Sequence, residues 1–270
     1  MKISNIMSRR NRILLRELVV TDFKLRYQGS ALGYLWSILK PLFLFAILYV
    51  VFSNFLGLGK DIEHFPVYLL LGVVLWGFFT ETTNNGLQAI IERGDLIRKI
   101  NFPKYIIVIS GTISSLINLG INLLVVLAFI VFNGVELSWQ SLLFVPLVLE
   151  LYIFALALAF FLSAFNVKFR DVGYLWEILL QALFYATPII YPLAMVLKES
   201  DIAAKIIMLS PVAQVVQDVR YVLITHDSVT TYQLFENSYQ IFIPFAIVIA
   251  ASILGAVYFK KHSKYFAENV

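Results

Sequence analysis

Six stretches of this sequence, at 31–56, 66–89, 104–132, 142–166, 173–195 and 239–260, stay predominantly apolar for 20 residues or more. Roughly 20 helical residues cross the ~30 Å hydrocarbon layer of a membrane. Inside that layer every backbone N–H and C=O must be satisfied within the segment, which leaves the helix as the natural conformation for single spans. The last stretch, YQIFIPFAIVIAASILGAVYFK, carries no charge before its terminal lysine. The chain is 60% hydrophobic and 14% charged, against about 45–50% and about 25% for soluble domains. A soluble barrel enzyme of this length needs more polar surface than that. The sequence predicts one all-α integral membrane domain over 1–270 with six transmembrane helices.

A seventh span is the competing count, because IAAKIIMLSPVAQVVQDVRYVLI is also rich in apolar residues. It carries Lys205, Pro211, Gln214, Gln217, Asp218 and Arg220, a heavy polar load for hydrocarbon. Basic residues decide the count. Seven fall within 1–28, four are Arg93, Arg98, Lys99 and Lys104, two are Lys168 and Arg170, and three are Lys260, Lys261 and Lys264, or 16 of 21. Six spans place all four groups on one face, which the positive-inside rule makes cytoplasmic together with both termini. Residues 188–238 are then a non-spanning outer region, expected as two short re-entrant helices between spans five and six. Irregular backbone at that depth requires a protein or water lining. Residues 9–28 read as an amphipathic helix in the headgroup plane, with Leu14, Leu18 and Leu25 in line, although Asp22 and Arg26 intrude on that face. The opening MKISNIMSRRNRILLREL lacks the apolar core and cleavage site of a signal peptide.

Chemistry is sparse. His64, His226 and His262 are too scattered for a paired-histidine zinc motif, and the chain has no cysteine. NFLGLGKD fails as a phosphate loop, since Asn54 and Asp61 stand where glycine and Ser or Thr are needed. No nucleotide site is expected. Four ionisable residues fall inside spans: Lys40, Glu81, Glu150 and Glu177. Each costs at least about 2.5–3.5 kcal/mol at the bilayer centre, so each is a functional candidate. Glu150 is expected in the outer half of its span and Glu177 near the inner end of its own, where simple exposure is expected. Lys40 and Glu81 occupy the inner halves of adjacent spans and are candidates for an ion pair. Glu81 opens the polar run ETTNN, which should face other helices or water. Aromatic residues make up 15% of the chain. Many serve as interfacial belts; the alternative is a track of faces on which sugar rings stack weakly.

The stretch ERGDLIRKINFPK, at 92–104, holds more charge than a reverse turn needs, interleaved with Leu96, Ile97, Ile100 and Phe102. It belongs to a set of four motifs in register: DFKLRYQGSALGYLWSILKPL, LIRKINFPK, NVKFRDVGYLWEILLQALFYATPIIYP and LSPVAQVVQDVRYVL. Together they resemble ABC-2 type permeases that export polysaccharides, over about residues 15–262; VVQDVRYVL departs from the glycine-containing segment common there. The resemblance implies a bacterial cytoplasmic-membrane homodimer with two copies of a separate ATP-binding subunit. ATP and Mg would sit on that subunit, so this chain is expected to carry no cofactor and no catalytic or metal residues. The implied cargo is a lipid-linked glycan such as O-antigen or teichoic acid, and no nucleic acid is expected. The resemblance also makes 91–102 a coupling helix, with Arg93, Asp95, Leu96, Ile97, Arg98, Lys99 and Ile100 contacting the partner, and its apolar members and Phe102 seated in a partner groove. It places the outer gate at 188–238. Trp36, Tyr68, Trp76, Phe79, Phe184 and Tyr185, from spans one, two and five, are the expected channel aromatics at the dimer interface. The alternatives are an ABC-2 exporter of drugs or lipids and, from another class, a polytopic membrane glycosyltransferase, for which DIE at 61–63 is a thin acidic motif.

Overall fold

The computed structural model describes residues 8–57, 59, 62–235 and 239–269. Lys2, Lys60 and Asp61, which entered the sequence argument, and the end of the outer region at 236–238 lie outside the described residues. Among the described residues there is helix and loop and no strand. In chain order the helices are α1 (Arg9–Tyr27), α2 (Trp36–Tyr49), α3 (Phe65–Glu92), α4 (Gly94–Lys99), α5 (Tyr105–Phe132), α6 (Phe144–Lys168), α7 (Val172–Ala186), α8 (Leu193–Glu199), α9 (Asp201–Met208), α10 (Pro211–Leu223), α11 (Thr231–Phe235), α12 (Ile243–His262) and α13 (Phe266–Asn269). Five helical segments are long and apolar enough to cross a membrane: 33–55, 65–92, 105–132, 139–168 and 239–268. Four of these match expected spans within three residues, and the fifth starts at the expected 239 but runs eight residues past 260.

The remaining span differs. The stretch 173–195 was expected to be one crossing, but α7 ends at Ala186, after 15 residues. Thr187 precedes Pro188 and is extended (φ −85°, ψ 135°). The proline ring clashes with a preceding residue in helical conformation, so the helix stops there. Fifteen residues rise about 22 Å, short of the hydrocarbon thickness. The outer region also departs from expectation, with four short helices, α8 to α11, in place of two. Of these, α9 and α10 meet at 98° across Leu209 and Ser210; Pro211 at the first turn of α10 lacks the N–H needed to continue α9.

The bundle is built around α3. Of its apolar window 78% is buried, against 11% for α2 and 17% for the last span. Helices α2, α5, α6, α7 and α10 all pack on it. Close approach comes from small residues, which let backbones meet where the membrane supplies no hydrophobic drive. A Cβ on Gly86 of α3 would stand 2.3 Å from the Ala159 Cβ of α6, and one on Gly255 of α12 would stand 2.4 Å from the Ala157 carbonyl oxygen. The two contacts grip α6 from both sides. Opposite the outer region, Leu18, Ile97, Phe102, Val167, Phe259 and Phe266 form one apolar cluster. It gathers α1, α4 and the ends of α6 and α12 at a single end of the bundle, the end that carries the basic groups.

Candidate functional site

A cavity of about 960 Å³ opens between α2, α3, α5 and α7. Lys40 and Glu81 both line it, as do Trp36, Trp76, Phe184 and Tyr185. Its polar wall is mainly amide: Asn84 and Asn85 from the ETTNN run, Asn118 and Asn122 from α5, and Gln181 from α7. The Asn118 Nδ2 donates to Glu81 Oε2 at 2.6 Å, Asn85 Nδ2 to Ser115 Oγ at 2.8 Å, and Asn122 Nδ2 to the Asn118 carbonyl at 2.9 Å. Asn118 Oδ1 and Thr80 Oγ1 are buried with no hydrogen-bond partner. The aromatic wall is continuous, with Trp76 and Phe184 centroids 5.9 Å apart and Phe184 and Tyr185 5.4 Å apart. Such a surface offers hydrogen bonds and ring faces together, with Lys40, Glu81 and Glu177 as its ionisable members.

Two expected members lie elsewhere. Tyr68 and Phe79 are 2% and 1% exposed and belong to the core. Phe79 touches Trp76 from behind, with ring centroids 5.6 Å apart, but does not itself line the cavity; α3 is largely enclosed, so only part of its circumference faces the cavity. Lys40 and Glu81 share the cavity, and Glu81 accepts a hydrogen bond from Asn118. Glu177 is exposed and lines the cavity, whereas Glu150, expected to be exposed, is 9% exposed and packed against α10.

The charged end of the bundle is organised around α4. Asp95 and Arg98 pair at 2.7 Å, and this hydrogen bond together with the Arg98 and Lys99 charges pulls the Asp95 carboxyl below its usual range. Arg93 forms an ion pair with Asp22 of α1, both largely buried, and burial lowers the Arg93 pKa. The intruding Asp22 is thereby explained: it ties α1 to the residue that precedes α4. The apolar residues divide. Ile97 and Phe102 are 3% and 6% exposed, inside this chain's own cluster beside Phe266, and Leu96 is half-buried. Only Ile100 stands out, 43% exposed, with Asp95, Arg98 and Lys99 around it. Of the apolar residues expected in a partner groove, Ile100 is the open one, while Ile97 and Phe102 are buried where α13 folds back.

Sequence reasoning missed Arg220. It is fully buried, with Nε donating to the Tyr68 carbonyl at 3.2 Å and its terminal nitrogens to the carbonyls of Pro188 and Ile189 at 2.5 and 2.6 Å. Its guanidinium also lies 3.5 Å over the Tyr68 ring. One side chain thus joins α10, α3 and the break after α7. Asn118 and Asn122 were missed too; the signal was two amides four residues apart in an otherwise apolar helix.

The family model described as ABC-2 type transporter matches residues 13–224. The chain belongs to the ABC-2 type transporter family. Among curated ABC-2 relatives, it is 35% identical over 187 residues to the O-antigen export system permease protein RfbA of Myxococcus xanthus, covering 69% of this chain and 71% of that one. It is 30% identical over 171 residues to a permease of the same name from Klebsiella pneumoniae, covering 63% and 65%. The ABC-2 match takes in the cavity, α4 and Arg220 alike.

Proposed function

We propose that this chain is the membrane-spanning subunit of an ATP-driven exporter of a cell-surface polysaccharide, as the names of its relatives suggest. The observation that carries the reading is the cavity. Amides and a run of aromatic faces suit a hydroxyl-rich polymer, which cannot partition into about 30 Å of hydrocarbon and must bind weakly at many points in order to move. Two copies of the chain enclose the path, and a separate subunit binds ATP. The basic end faces the cytoplasm, where Ile100 and the charges around it meet that subunit. Closure of the ATP-bound partner moves α4, and through the Arg93–Asp22 pair it moves α1. The bundle then switches between two arrangements by differential contact. In this topology α7 crosses incompletely and the polypeptide from 187 to 223 caps the outer end, with α9 and α10 as the re-entrant pair. Export is tested by reconstituting the chain with its ATP-binding subunit in vesicles loaded with a lipid-linked glycan. ATP-dependent appearance of glycan on the far side is expected; ATP turnover stimulated only by small apolar compounds would refute the reading.

A further inference from the structure

A second recess, of about 830 Å³, lies at the opposite end of the bundle from the basic cluster, between the first turns of α6, the end of α10, residues 230–233 and the first turns of α12. It shares no lining residue with the amide cavity. Its mouth is apolar and open: Leu149, Ile153, Phe245 and Ile249 are 40–61% exposed. Its interior holds two acids, Glu150 and Asp218. Glu150 is 9% exposed, faces Gln214 and Asp218, and its Oε1 has no hydrogen-bond partner. Asp218 accepts from Gln214 Nε2 at 2.8 Å and from the Thr231 backbone N–H and hydroxyl at 3.2 and 3.4 Å. Gln214 Oε1 is also buried without a partner.

Among the described residues no lysine, arginine or histidine lines this recess; the His226 ring lies tilted against Tyr221, centroids 4.7 Å apart. Arg220 follows Asp218 by two residues, about 200° around the helix, and its guanidinium is held by carbonyls on the other side. Two neighbouring carboxyls out of water disfavour each other's charge, and a buried charge without a partner is costly. The arrangement lacks a cation that donates several hydrogen bonds. A primary ammonium supplies three donors and no acceptor, matching Glu150 Oε1 and the spare lone pairs of Asp218. Glu150 stands six residues into α6, about 9 Å below its start, a depth near the boundary of headgroups and acyl chains.

We propose that this recess binds an aminophospholipid of the outer leaflet, its primary ammonium on Glu150 and Asp218 and its acyl chains against Leu149, Ile153, Phe245 and Ile249. A shared proton alone would relieve the repulsion between the acids, but it would leave the volume and the apolar mouth unfilled. The test uses the full-length chain, stripped of lipid in detergent and titrated with dipalmitoyl phosphatidylethanolamine, phosphatidylcholine or phosphatidylglycerol under native mass spectrometry. One phosphatidylethanolamine per chain is expected to be retained, roughly tenfold tighter than the other two, since the choline head has the charge without N–H donors. Glu150→Gln with Asp218→Asn, which preserve shape, should erase that preference. Equal affinity for the ethanolamine and choline lipids would overturn the proposal, as would unchanged selectivity in the double variant. Should the variants not fold, the comparison of the three lipids on the wild-type chain still decides.

Discussion

Replacing Arg220 with leucine is the sharpest test of how the end of the bundle opposite the basic groups is held. The change removes three hydrogen bonds from a charged donor and leaves the carbonyls of Pro188 and Ile189 without that partner in the core. The Tyr68 carbonyl sits within α3 and keeps its helical bond, so two acceptors are stranded rather than three. A buried polar group left unpaired costs about 1–3 kcal/mol, and the sum for two is partly offset because a buried charge is also removed. The net expectation is a loss of about 3 kcal/mol, or a melting shift of roughly 6–12 °C for a chain of this size. The four tryptophans report unfolding in detergent by fluorescence. Arg220→Lys should fall between, since it keeps charge and three donors but not the planar fork. Gly72 sharpens the reasoning, because a Cβ there would meet the guanidinium at 2.4 Å. Gly72→Ala should therefore be costly in the wild type and mild beside Arg220→Leu, giving a coupled cycle. A leucine variant melting within 2 °C of wild type, or additive Gly72 and Arg220 effects, would refute the account.

At the charged end, Ile97→Asp should lower stability and yield because it places a charge in a closed apolar cluster, whereas Ile100→Asp should leave the fold intact and weaken partner binding or ATP-coupled export; equal melting temperatures for the two would contradict the assigned burial. Trp76→Ala or Tyr185→Ala should slow glycan export or change exported chain length while basal ATP turnover by the partner stays within twofold, as measured in reconstituted vesicles. A charge swap of Lys40 and Glu81 should restore more export than either single reversal if the two act through the shared cavity, and additive losses would count against it. Reporter fusions at Val135 and Asp227 should be accessible from outside, with those at Gly94, Arg170 and the C-terminus inside; an externally accessible C-terminus ends the proposed orientation.

Five long apolar helical segments and the N-terminal helix were legible because length and hydropathy act residue by residue. The sixth was not, since the end of α7 depends on Thr187 standing before a proline inside an otherwise apolar run. The amide wall was half legible: ETTNN on α3 announced itself by polarity, but Asn118 and Asn122 became meaningful only when α5 was placed opposite Glu81. Ile97 and Ile100 are indistinguishable as residue types. What separates them is the return of Phe266 from the far end of the chain, a contact no local pattern encodes. Glu150 and Asp218, 68 positions apart, likewise form a pair only through the packing of α10 on α6.

The grip of α6 at Gly86 and Gly255 has a consequence for how the protein sits in bilayers of different thickness. Sliding α12 by one helical turn would present Ile153 or Phe161 to Gly255 in place of Ala157, and neither side chain fits where backbone already touches backbone. The height of α12 on α6 is therefore single-valued, and α3 is fastened to the same helix on its other side. A thinner or thicker membrane cannot be met by each helix adjusting alone. The three must tilt as one plate, with Lys260 and Lys261 at the end of α12 acting as its fixed edge in the headgroups. Accommodation then falls to α2, the least enclosed of the spans, which also forms one wall of the amide cavity. Lipid composition would thus tune the width of the amide cavity through the α2 wall that carries Trp36 and Lys40.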